Sequence, residues 1–204
     1  MKSAMRTDHY TATQNACNLC APLGAALVFK GIANTVPLLH GSQGCSTYIR
    51  RYMISHFKEP LDIACSNFGE ETAIFGGGAN LKIAIDNIRK QYGPDLIGIA
   101  TTCLSETIGD DLPQIFDKAQ KDNKVPEGKT VLGAATPSYV GSHVTGFSNM
   151  VKAMAALAES TKQKNGRVNI IPGWVEPADM EEIKRLTEMI GVKTILFPDT
   201  SGVL

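Results

Sequence analysis

Apolar residues fall along this chain in short runs, separated by stretches where they recur every three or four positions. The runs at 35–39, 61–65, 96–101, 130–134, 168–171 and 194–197 are continuous rather than alternating, as in strands buried on both faces. Residues 81–92 place Leu81, Ala84, Ile85, Ile88 and Tyr92 on one face and stop at Gly93-Pro94, which predicts an amphipathic crossover helix. Residues 177–190 repeat the pattern, with Pro177 suited to a first helical position, the acids Asp179, Glu181 and Glu182 near the positive end, and Gly191 beyond the last turn. Two further helices are predicted over 46–57 and 147–158, the second with Met150 and Met154 at core spacing. Strands alternating with helices predict an α/β fold, a Rossmann-like domain whose parallel sheet is flanked by helices. Such sheets take their ligands at the carboxyl ends of the strands.

The lysine-rich polar stretch 159–167 reads as a surface linker, so a first domain is expected over residues 1–160. Residues 161–204 offer only strand, helix and strand. These are too few to close a second such sheet, so they are expected to be the start of a second Rossmann-like domain, truncated here or resting on a neighbour's surface. Lys plus Arg total 20 and Asp plus Glu total 20, and a net charge of zero gives no reason to expect a nucleic-acid partner. No run approaches the roughly 20 apolar residues of a membrane span, and residues 1–20 lack the apolar core of a signal peptide. The expected compartment is the cytoplasm, with no membrane partner.

Five cysteines in a reducing compartment are a poor disulfide framework. Cys45 ends His40-Gly41-Ser42-Gln43-Gly44-Cys45 just before a predicted helix, whose dipole favours a thiolate. Cys103 follows the strand run ending at Thr102, at the carboxyl edge of the sheet, and Cys20 opens Cys20-Ala21-Pro22-Leu23-Gly24-Ala25 ahead of another helix. Singly, each is explained as a small buried hydrophobe. Jointly, three cysteines at three loop-to-helix junctions make a candidate metal-ligand set. Cys65, inside a strand run, reads as structural, and Cys17 in Cys17-Asn18-Leu19-Cys20 as an optional extra ligand.

Other motifs carry less. His40 is the one histidine placed to join Cys17, Cys20 and Cys45 in a zinc-stabilised module, although a packing role is the simpler reading. Gly76-Gly77-Gly78 before a helix resembles a phosphate cradle but lacks the spacing of either nucleotide-binding loop. Glu70-Glu71 and Asp110-Asp111 are adjacent pairs, read as a solvated face or a helix start. Arg50 and Arg51 could form a basic edge for an anionic group, a surface salt bridge being the plainer reading.

At these residues the sequence resembles the beta-type subunits of the nitrogenase component 1 superfamily. The resemblance rests on Cys20 to Ala25, His40 to Cys45, Phe75-Gly76-Gly77, Thr101 to Asp111 and Thr136-Pro137-Ser138-Tyr139-Val140-Gly141-Ser142-His143. It implies that Cys20, Cys45 and Cys103 hold an iron–sulfur cluster shared with an alpha-type subunit, and that Ser138 matches a serine able to ligate an oxidised cluster iron. It also implies a heterotetramer, a transient ATP-dependent iron-protein reductase as electron donor, and no independent activity for this chain alone.

Within the superfamily, the short lead Asn15 to Cys20 and Tyr48-Ile49-Arg50-Arg51-Tyr52 with Ile54 to Phe57 look most like the beta subunit of the iron–molybdenum cofactor assembly scaffold. The expected function is therefore cofactor biosynthesis, the catalytic nitrogenase beta subunit being the alternative. The scaffold type is expected to hold a 4Fe–4S cluster through the cysteine matching Cys45 alone on its beta side. All three cysteines are present here, as in the catalytic type with its 8Fe–7S cluster. On this reading Gly24, Gly41 and Gly44 let backbone approach the sulfides, and Ser42 or Gln43 donates hydrogen bonds to them. Soft thiolates select such clusters, whose potentials follow charge, hydrogen bonding and burial.

Overall fold

A computed structural model describes residues 19–111, 114–115, 130–158, 166–173 and 175–201. Strands β1 (Thr35–His40), β2 (Ala64–Cys65), β3 (Leu96–Thr101) and β4 (Thr130–Ala134) form a wholly parallel sheet in the order β2-β1-β3-β4. The two continuous apolar runs predicted at 35–39 and 96–101 are its paired central strands, in register from Thr35 opposite Leu96 to His40 opposite Thr101. Their side chains sort by parity. Leu39, Leu96 and Ala100 join one core, with helices α1 (Ala21–Lys30), α2 (Gln43–Phe57) and α6 (His143–Leu157), whereas Val36, Leu38, Ile97 and Ile99 join the other.

That second core is closed by Leu81, Ala84, Ile85 and Ile88 of α4 (Gly78–Tyr92), the face read from the sequence. Tyr92, placed on that face by periodicity, is exposed instead, because it occupies the last turn before Gly93 takes the left-handed conformation that ends the helix. Helix α1 is buried over its whole length, as expected of a helix apolar all round and packed between sheet and helix. A Cβ on Gly24 would strike the His143 carbonyl and one on Gly146 the Ala21 carbonyl, so the backbones of α1 and α6 meet directly. Met150 is fully buried and Met154 packs against the same core.

Pro37 lies in the middle of a central strand, a position proline rarely tolerates because it offers no N–H to the ladder. The neighbours resolve this. Leu39 accepts from the Ser66 N–H and so faces β2, while His40 accepts from the Thr102 N–H and faces the β3 side. Pro37 shares the parity of Leu39, and β2 begins at the partner of Leu38, so the missing donor points where there is no strand to accept it. The strand predicted over 61–65 shrinks to Ala64–Cys65, since the Leu61 carbonyl is taken by Arg50 Nε at 2.7 Å rather than by the ladder.

Strands β5 (Arg167–Ile170) and β6 (Lys193–Leu196), joined through α7 (Pro177–Met189), form a separate two-stranded parallel sheet. Helices α3 (Glu70–Phe75) and α5 (Cys103–Ile108) complete the described elements, Glu70 and Glu71 standing in the first turn of α3. The expected linker lies outside the described residues from 159 to 165. Among the described residues no helix is long and apolar enough to cross a membrane.

Candidate functional site

Three segments leave the carboxyl side of the sheet or its neighbouring helix pair carrying a cysteine each. Cys20 is the N-cap of α1. Cys45 lies within the first turn of α2, because that helix begins at Gln43, three residues before the predicted start. Cys103 opens α5 directly after β3. All three are half-buried free thiols.

Short cross-links fix these segments to one another. The Ser138 N–H donates to Cys103 Sγ at 3.3 Å, while Ser138 Oγ accepts from the Ala21 N–H at 3.0 Å. One residue thereby joins the Cys103 thiol to the helix that Cys20 caps. The Cys20 segment is also bridged to Ser142, and Leu19 accepts from the His143 N–H at 2.8 Å. Ser105 Oγ accepts from the Thr102 N–H at 3.1 Å and donates to the His40 carbonyl at 2.8 Å, tying the start of α5 to the end of β1. Ser42 Oγ–H points at Cys45 Sγ across 3.9 Å. Gln43 instead gives its amide to Asn67 Oδ1, so of the two expected donors only Ser42 faces a cysteine.

The thiols sense one another. Burial pushes the Cys20 thiol up, and the Cys45 and Cys103 sulfurs push the same way, against a Leu23 N–H that favours the thiolate. A thiol raised in this way ionises more readily beside a cationic partner. Among the described residues no three His, Cys, Asp or Glu side chains converge on a single ion. A polynuclear cluster is wider than one ion and takes thiolate donors, so the donor chemistry of the three cysteines fits an iron–sulfur group.

The glycines divide by role. Gly24 serves the contact with α6, and a Cβ on Gly41 would strike the Thr102 side chain, so neither is kept small by an approaching group. At Gly44 a Cβ would meet nothing within 4 Å. That exposed position beside Cys45 is the one of the three that leaves space for a ligand.

Several sequence expectations resolve differently. His40 is fully buried, with Nδ1 3.0 Å from Ser66 Oγ, Nε2 3.2 Å from Asp110 Oδ2 but off the line of a straight hydrogen bond, and its ring edge-on to Phe68. Burial holds its pKa below the usual histidine range despite the Asp110 carboxylate. It is a packed and partnered residue remote in role from the zinc set, and Cys17 lies outside the described residues. The glycine triplet is no open phosphate cradle: the Gly77 N–H at the start of α4 already donates to both Asp110 carboxylate oxygens at 3.1 Å, and Phe68 and Asp110 fill the space a Cβ would take. Cys65 donates to the Gly41 carbonyl and accepts from the Asn67 N–H, a structural thiol. Arg50 is held by the Leu61 carbonyl rather than by an acid.

Two features escaped the sequence reading. Asp110 is a buried hub rather than a solvated acid. Leu104, next to Cys103, and Tyr139, Val140 and Val144, in the segment after Ser138, are exposed apolar side chains. The signal for the second was present, since Tyr139-Val140 sits between Pro137 and Gly141 in a loop where an apolar pair has no core to join.

A family model described as "Nitrogenase component 1 type Oxidoreductase" matches residues 20–202. The nitrogenase molybdenum-iron protein beta chain of Clostridium pasteurianum is 52% identical over 191 residues, covering 93% of this chain and 42% of that protein. The beta chain of Azotobacter vinelandii is 38% identical over 199 residues, covering 94% and 38%. A solved chain described as "Nitrogenase Cp1 at pH 6.5" superposes with a TM-score of 0.87 at 52% identity, over 92% of this chain and 41% of that one. A second, "Nitrogenase Cp1 at pH 5", shares the fold with a TM-score of 0.72 at 24% identity. The chain thus spans about two-fifths of the length of the relatives it matches. The two relatives named first are molybdenum-iron protein beta chains, and they support the catalytic alternative better than the scaffold expectation. The chain belongs to the nitrogenase component 1 type oxidoreductases, as one of their beta-type subunits.

Proposed function

We propose that this chain is the amino-terminal part of a catalytic nitrogenase beta subunit and supplies Cys20, Cys45 and Cys103 as one half of the ligand set for an iron–sulfur cluster shared with an alpha-type subunit. The observation that carries the reading is the placement of three half-buried thiols at three helix starts, with the Cys45 and Cys103 sulfurs near enough to add to the cost of ionising Cys20. When bound, such a cluster stores and passes electrons. The work of this chain is to hold and shield it. Ser138 gives its N–H to the Cys103 sulfur and its Oγ to the helix capped by Cys20, Ser42 orients toward Cys45, and Gly44 leaves room beside that sulfur. Hydrogen bonds to sulfur stabilise the more negative state and so tune the potential.

The heterotetramer, the transient ATP-dependent iron-protein donor and a cytoplasmic setting belong to the same proposal, as does the assignment of residues 161–204 to the start of a second Rossmann-like domain. The exposed apolar rim of Leu104, Tyr139, Val140 and Val144 suits burial against the alpha-type partner.

The test is anaerobic co-expression of the full-length polypeptide with its alpha-type partner, followed by iron and sulfide quantitation and EPR on wild type and on Cys20→Ala, Cys45→Ala and Cys103→Ala. The expected result is that each substitution abolishes the interface cluster, with wild-type iron at the level of an 8Fe–7S group. Loss confined to Cys45→Ala, with iron for four, would return the reading to the assembly scaffold. A wild-type complex without iron would refute the cluster altogether.

A further inference from the structure

The best-buried ion pair among the described residues lies beneath the cysteine segments and holds no cysteine. His40 ends β1, two residues before the Ser42 cap of α2, and Asp110 follows α5, the helix opened by Cys103. The two side chains are 0% and 8% exposed. Asp110 accepts from the Gly77 N–H with both oxygens at 3.1 Å and faces His40 Nε2 across 3.2 Å. On the far side of the ring, Ser66 Oγ accepts from the Gly41 N–H at 2.9 Å and meets His40 Nδ1 at 3.0 Å.

The carboxylate assigns the protons. An ionised Asp110 only accepts, so the ring nitrogen facing it, Nε2, carries the hydrogen, and Nδ1 accepts from Ser66 Oγ–H, whose oxygen receives the Gly41 N–H. Burial, which disfavours the charged ring, keeps it neutral. Two N–H groups from different segments therefore converge on one carboxylate, and a carboxylate is the side chain that accepts with both atoms. Phe68 closes the enclosure, edge-on to His40 and against Gly77.

We infer that Asp110 is a positioning residue: by joining the Gly77 N–H and the His40 ring from the end of α5, its carboxylate fixes the spacing between the segment that carries Cys45 and the helix that carries Cys103. This rests on the cluster reading above and adds to it a residue that touches no thiol. The Ser105 bond to the His40 carbonyl restrains the same two segments through backbone at the other end of α5, so loss of Asp110 loosens the spacing without separating them.

The substitution is Asp110→Asn in the full-length protein co-purified anaerobically with its alpha-type partner. The amide keeps the size and one acceptor but sets an NH2 against either the Gly77 N–H or the His40 Nε2–H. Asp111→Asn is the control: the same charge change one residue away, on an exposed side chain whose contact is the Gln114 N–H. Iron content, the EPR spectrum and the cluster midpoint potential are read on the assembled fraction. Asp110→Asn is expected to retain iron while displacing both the g-values and the potential beyond replicate error, with Asp111→Asn matching wild type. Asp110→Asn with a wild-type spectrum and potential, even if its melting temperature falls, would overturn the inference and leave Asp110 as a cap for α4 only. If Asp110→Asn does not assemble, His40→Gln is read in the same way, with the same two outcomes. A wild-type complex without iron sinks the cluster reading and this inference with it, whereas a loaded wild type with an unaltered variant sinks the inference alone.

Discussion

Gly24 and Gly44 are both helical glycines next to a cysteine segment, yet the structure assigns them opposite sensitivities. In Gly24→Ala the new methyl lands on the carbonyl of His143. That atom is backbone, held in the first turn of α6, and cannot swing aside, so α1 and α6 must part. Overpacking of this kind costs about 1–3 kcal/mol, and a contact with fixed backbone belongs at the upper end. The helix gains up to about 1 kcal/mol from alanine in place of glycine. The net expectation is a destabilisation of about 2 kcal/mol, concentrated where α1 crosses α6. In Gly44→Ala the methyl meets nothing within 4 Å, so only the helical gain remains and stability is unchanged or raised by up to about 1 kcal/mol. The same methyl occupies the space beside Cys45, so the cost appears in iron content instead.

Hydrogen exchange on the assembled full-length protein separates the two, because it reads local opening helix by helix. Gly24→Ala should lower the protection of α1 amides by a factor of about 30, the equivalent of 2 kcal/mol, with Gly44→Ala leaving α2 as protected as wild type while reducing iron. Undiminished protection of α1 in Gly24→Ala would mean that the helix contact yields freely, and the close-packing argument would fall. Normal iron in Gly44→Ala would remove Gly44 from the cluster surroundings.

The Lys30 ammonium, 5% exposed, pairs with Glu59 at 2.8 Å and lies over the Phe57 ring, whereas Glu59 is 28% exposed. Glu59→Gln strands a buried cation and should cost about 3 kcal/mol, while Lys30→Met leaves a carboxylate able to turn to water and should cost less than about 1 kcal/mol; equal losses in chemical denaturation would contradict the asymmetry. At Asp199, burial acts to raise the carboxyl, but the bonds from Lys184 and Ser201 outweigh it and hold its pKa below the usual aspartate range. A depressed folded pKa adds stability above the unfolded value that is lost as pH falls through the folded one, so exchange protection of β6 should drop below about pH 4, and Lys184→Met should shrink that drop. An acid response of β6 identical in the two proteins would refute the link.

The strands were legible because buried parallel strands leave uninterrupted apolar runs, and five of the six runs map onto strands to within one residue at either end. The run at 61–65 misled because its composition is that of a strand while the Leu61 carbonyl has a side-chain donor from α2, a tertiary fact that no local pattern carries. Helix α2 starts earlier than its periodicity suggests, since Gln43 and Gly44 belong to no apolar face. The cysteine set was visible from placement at three junctions. Asp110 was not: read beside Asp111 it looks like any solvated acid, and only the crossing of α4, β1 and α5 above Phe68 makes it a shared acceptor.

The site also explains why its polar ties are so many. Three cysteines on untethered loops would not keep a fixed spacing, and here each segment is anchored by bonds that do not involve sulfur: Cys20 through the Ser138 and Ser142 contacts, Cys45 through the Ser66 bond that holds Gly41, and Cys103 through Ser105. Folding thus fixes the Cys20 thiol beside the other two sulfurs, where burial and their charge raise the cost of its ionisation, a cost that a cationic cluster relieves. In this chain by itself the same sulfurs are only half-buried, and Leu104, Tyr139 and Val140 are exposed. A partner that covers those side chains also removes water from the thiolates and strengthens every charge interaction there. Cluster binding and partner binding must then favour each other by the same factor, because the coupling between two binding equilibria is reciprocal.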